Sequence, residues 1–141
     1  MATPYSEIDN MFLHDIKDYD FLDFTDEDRD EVLQDLRIKA VTRFKACKVD
    51  LTDRDDTLLK YNSTLTDEEK LIIATSMRKF WLNNKSYDLE LLKHRLSSKD
   101  WRMTSQAEHL SKIILLKKDL DAEISNMIIS YTVYAYSPSG I

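Results

Sequence analysis

Apolar residues recur at three- and four-residue intervals along most of this chain, the spacing that puts them on one face of a helix. Ile8, Met11, Phe12 and Ile16 predict a short amphipathic helix near 4–17, with Thr3 as its N-cap and Pro4 as its first residue. Val32, Leu33, Leu36, Ala40, Val41, Phe44 and Cys47 form a second stripe, near 26–47. It is preceded by a capping arrangement at Thr25–Asp28 that places acids where the helix dipole favours them. Residues 48–65 are polar and predict a long loop. Thr66-Asp67-Glu68-Glu69 is a capping box. It opens a third helix near 67–83 through Leu71, Ile72, Ala74, Met77, Phe80 and Trp81, which Asn83-Asn84-Lys85-Ser86 is expected to stop. A short fourth helix follows near 87–96, then a loop at 97–104 containing Trp101. A second capping box, Ser105-Gln106-Ala107-Glu108, opens the longest helix, near 105–130. After it Tyr131, Thr132, Val133, Tyr134, Ala135 and Tyr136 are mostly β-formers, and Ser137-Pro138-Ser139-Gly140 closes the run, so an extended tail is expected.

The pattern predicts an all-α fold: a bundle of four to five helices with a long C-terminal helix, residues 1–130, and an extended interaction arm, residues 131–141. Composition supports it. The 141 residues contain one glycine, Gly140, and two prolines, Pro4 and Pro138, so residues 5–137 carry neither helix breaker. Average glycine usage is about 7%. Tight hairpins call on residues that tolerate positive φ, most often glycine, and few are on offer here. The shortage also removes Gly-x-Gly phosphate loops.

Candidate chemistry is thin. His14, His94 and His109 show no metal-ligand spacing, and Cys47 falls on an apolar stripe where a thiol is usually a small buried hydrophobe. A single cysteine allows no intramolecular disulfide and suits a reducing compartment. A calcium loop beginning at Asp53 would need glycine and glutamate where Leu58 and Thr64 stand. No catalytic residue, metal or cofactor is expected. The start of the chain lacks a basic region followed by an apolar run, and no stretch has the roughly 20 apolar residues of a membrane span, so neither signal peptide nor membrane partner is expected.

Charge is uneven. Residues 1–35 hold 12 acids against Lys17 and Arg29, a net of -10, while residues 36–141 carry +4, giving -6 for the whole. Such an acidic third argues against a general grip on nucleic acid but suits a wall past which DNA slides, with Asp15, Asp18, Asp20 and Asp23 as its candidates. Trp101 in its polar loop, and Tyr131, Val133, Tyr134 and Tyr136 in the tail, are candidate anchors for another subunit, because Trp and Tyr are enriched at interface hot spots. An alternating segment without its own sheet partner would satisfy its backbone on another chain's strand edge.

Leu65-Thr66-Asp67-Glu68-Glu69, Met77, Trp81-Leu82, Ser98-Lys99-Asp100-Trp101, Ser105-Gln106-Ala107 and His109-Leu110 occur in that order before a Lys-rich helix. Taken together, the segment from Leu65 to Tyr131 resembles the small head–tail connector (adaptor, or head-completion) proteins of tailed bacteriophages. The acidic first 35 residues and the tail depart from the pattern. The resemblance implies a cofactor-free virion protein of the phage neck, assembled in the host bacterial cytoplasm. Such a subunit docks on the portal protein, forms a twelve-fold ring with itself, lets DNA pass and receives the next neck or tail-completion protein. The competing reading is a helical DNA-binding or regulatory adaptor such as a small terminase subunit. It would use the basic residues Lys93, His94, Arg95, Lys99 and Arg102.

Overall fold

The computed structural model describes residues 2–16, 25–95, 99 and 105–136. Their order is β1 (Thr3–Pro4), α1 (Tyr5–Ile16), α2 (Asp26–Arg43), β2 (Arg54–Asp55), β3 (Lys60–Tyr61), α3 (Asp67–Arg95) and α4 (Ser105–Tyr136). The protein is predominantly helical, as its periodicity predicts. α3 is the centre: α1, α2 and α4 all pack against it. Ile8 and Phe12 of α1, Leu36 and Ala40 of α2, and Ile72, Ile73 and Met77 of α3 are fully buried in one cluster.

The expected caps of two helices form. Thr25 Oγ1 accepts from Asp28 N at 3.1 Å, and Asp26, Glu27 and Asp28 fill the first turn of α2. At α3 the box is reciprocal: Glu69 N donates to Thr66 Oγ1 at 3.1 Å, and Thr66 N donates to Glu69 Oε1 at 2.8 Å.

Five elements differ from the sequence reading. Thr3 and Pro4 form an edge strand rather than a cap. Thr3 is buried, donating from Oγ1 to Ser63 O at 3.0 Å and accepting from Leu65 N at 2.8 Å. Pro4 lies in an edge strand, the place in a sheet where a residue without an N–H is tolerated. The loop at 48–65 contains a hairpin: β3 pairs antiparallel with β2 (Arg54↔Tyr61, Asp55↔Lys60) and with β1 (Thr3↔Tyr61, Pro4↔Lys60), giving the order β1-β3-β2. Its turn has no glycine; Leu59 takes the positive φ, 56°.

α2 ends at Arg43, short of the expected 47. Phe44 caps it, donating its N–H to Ala40 O, and leaves the helix with its ring in the core. Cys47 therefore lies beyond α2. Asn83-Asn84-Lys85-Ser86 does not stop α3. Asn and Ser disfavour a helix by only roughly 0.5–0.7 kcal/mol each, well below proline's roughly 3. One local and one tertiary bond offset that: buried Ser86 donates to Asn83 O within the helix at 3.0 Å and accepts from Lys117 Nζ of α4 at 3.1 Å. The third and fourth predicted helices are one element of 29 residues. Lastly, α4 continues through 131–136, so this part of the expected extended arm is helix. Residues 137–141 lie outside the described residues.

Candidate functional site

Tyr131, expected to anchor a neighbour, is instead part of its own core. It follows Ile124 and Met127 at seven- and four-residue spacing, so it shares the inner face of α4. Its ring meets Phe44 edge-on, centroids 5.1 Å apart. Its hydroxyl donates to Glu69 Oε2 at 2.7 Å and accepts from Lys48 N at 2.8 Å. Cys47 Sγ also donates to Glu69 Oε2, at 3.2 Å. One buried carboxylate thus ties the start of α3, the loop after α2 and the end of α4 together. Burial opposes its charge, but hydrogen bonds from the Thr66 N–H, the Tyr131 hydroxyl and the Cys47 thiol outweigh that and hold it below the usual range. Burial pushes the Cys47 thiol up to about 12, the reverse of what a nucleophilic thiolate needs.

A second buried charge joins α1 to α2. Arg37 Nε donates to Asp9 Oδ1 at 3.0 Å, its guanidinium lies 4.3 Å from the centroid of the Tyr5 ring, and Nη1 donates to Gln34 Oε1 at 2.8 Å. Burial pushes Asp9 up to about 6, with Arg37 offsetting only part of the cost. A folded-state pKa above the usual 3.8 means that Asp9's contribution to stability is complete below that pH and lost as pH rises through about 6. Thermal melts from pH 4 to 7 should therefore show the wild type losing stability relative to Asp9→Asn as pH rises. Parallel curves for the two proteins would contradict this.

The outward face of α4 also carries an apolar stripe among its polar residues. Leu115, Ala122, Ile129 and Val133 are exposed, at heptad and four-residue spacing. Beside them a groove of about 660 Å³ runs between α3 and α4, with Leu71, Ala122 and Met127 among its apolar lining and Glu68, Asp119 and Glu123 among its polar lining. Val133, predicted as an anchor, is thus exposed, but on a helix rather than a strand. Asp15 is exposed near the end of α1. Trp101, Asp18, Asp20 and Asp23, and the side chains of Tyr134 and Tyr136, lie outside the described residues. Of the basic group weighed for DNA contact, Lys93 and Lys99 are exposed, while Arg102 and the side chains of His94 and Arg95 lie outside them.

The outer stripe was legible in principle. Ile113-Ile114-Leu115-Leu116 contains more apolar residues than one helix face can hold. The groove and the buried carboxylate were not, because each depends on residues about 50 to 60 positions apart.

Among the described residues no three His, Cys, Asp or Glu side chains group as a metal site, and no helix is long and apolar enough to cross a membrane. In comparisons with protein-family models, curated proteins and solved structures, nothing matches this chain.

Proposed function

We propose that the chain is a structural, non-catalytic subunit of the neck of a tailed bacteriophage, a ring-forming connector that docks on the portal and joins the DNA-filled head to the tail. The observation that carries this is α4, which bears apolar residues on its outer side as well as its inner one. Its inner face completes the core, and on its outer face Leu115, Ile129 and Val133 are left exposed, a surface that docking on another chain would desolvate. The resemblance to connector proteins supplies the partner, and it spans α3 and most of α4. The acidic first third, with Asp15, Asp18, Asp20 and Asp23, would repel phosphate and let DNA pass without sticking.

Electron microscopy of the protein mixed with its cognate portal tests the reading. Rings seated on the portal are expected. Ile129→Asp changes an exposed residue and should leave the fold intact while cutting portal occupancy about tenfold or more. A wild-type protein that never decorates the portal would refute the connector role.

A further inference from the structure

The tip of the β2–β3 hairpin is built at a cost that its own chain does not recover. Leu59 holds φ at 56°, a region where a bulky side chain collides with its own backbone and where glycine or asparagine normally stands. Yet Leu59 is 55% exposed and the adjacent Leu58 is 65% exposed, so neither gains the burial that would offset such a choice. The tip is also fixed in place. Asp55 Oδ1 accepts from Thr57 N and Leu58 N at 2.9 Å, and Tyr5 N donates to Leu59 O at 2.9 Å. Two leucines are thus held out on a fixed turn, which lowers the entropy cost of binding.

The groove between α3 and α4 is its chemical complement. Leu71, Ala122 and Met127 supply apolar surface, and Glu68, Asp119 and Glu123 are carboxylates with no ion-pair partner among the described residues. A ligand for that groove should be apolar with a positive charge alongside. Leu58-Leu59-Lys60 has this composition, and Lys60 likewise has no ion-pair partner among the described residues. The acids around the tip are already engaged within the chain: Asp53 with Asn62, Asp55 with the turn, and Asp56 with Tyr5.

We propose that copies of this chain associate head to tail, the Leu58–Lys60 tip of one seating in the α3–α4 groove of the next. The contact deepens the assembly reading above and rests on it. Because knob and groove are different surfaces, the contact is heterologous, the kind that closes into rings.

Sedimentation of the full-length protein over a concentration series at low salt tests this. The wild type should associate. Leu58→Asp and Leu71→Asp, both at exposed positions, should each weaken association by about tenfold or more. Leu59→Gly should do the same while raising the melting temperature, a combination that damaged folding cannot produce. Mixing the Leu58→Asp chain, whose groove is intact, with the Leu71→Asp chain, whose knob is intact, should give a one-to-one dimer that grows no further. A wild type that stays monomeric throughout, variants that associate like the wild type, or a mixture that fails to pair would each overturn the contact. Association that survives the knob and groove changes overturns it while leaving the connector reading standing, and that reading fails separately if the portal is not decorated.

Discussion

A chain ending at Ser130 should lose about 5 kcal/mol or more of stability, and with it most or all of its fold. Tyr131 is 6% exposed, and deleting a buried aromatic costs roughly 3–5 kcal/mol. The cut also strips Glu69 of a 2.7 Å hydrogen bond and Lys48 N of its acceptor. An unsatisfied buried polar group adds about 1–3 kcal/mol, more when it is charged. Urea unfolding can separate these parts. Tyr131→Phe keeps the ring against Phe44 and should cost about 1–3 kcal/mol, from the hydroxyl alone. Tyr131→Ala should approach the full loss, and Val133→Ala, at an exposed position, should stay within about 0.5 kcal/mol. A protein cut at Ser130 that melts cooperatively near the wild-type temperature would show that the Glu69–Tyr131 clasp is not structural.

The end of α4 shows how much of this fold the sequence carries and where reading it fails. Local propensity favoured a strand for Tyr131 to Tyr136, but the spacing of Leu120, Ile124, Met127 and Tyr131 continues one helical face without interruption. Periodicity reports burial, which contributes kilocalories, whereas propensity differences are tenths. The same contest decides α3, where Ser86 bonded to Lys117 carries the helix through four residues that resemble a stop. The caps at Thr25 and Thr66 were legible because donor and acceptor lie three residues apart. The hairpin was hidden for the opposite reason: its strands are two residues long, and its turn uses leucine where glycine would announce it. The buried charges were hidden too. Asp9 meets Arg37 across 28 residues, and Glu69 meets Tyr131 across 62, separations that no local pattern encodes.

Trp81→Ala should cost roughly 3–5 kcal/mol, the range for emptying a buried aromatic site. Trp81 is 7% exposed and shares a helical stripe with Ala74 and Met77, and Lys85 Nζ lies 5.5 Å from its ring centroid, so part of the indole is bound by a cation as well as by packing. Its position makes the loss more than local. It stands just before Asn83-Asn84-Lys85-Ser86, the stretch of α3 with the weakest helix propensity, where the Ser86–Lys117 bond ties the helix to α4. Removing the indole should therefore loosen the far half of α3 as well as open a cavity. Hydrogen exchange in Trp81→Ala should quicken at residues 83–95 more than at the Thr66-capped start of the helix. Tyr87→Ala, a change at an exposed position on the same helix, should shift the unfolding midpoint by no more than about 0.5 kcal/mol. If Trp81→Ala cost no more than Tyr87→Ala, or if exchange rose equally along all of α3, Trp81 would not be what carries the helix past its weak segment.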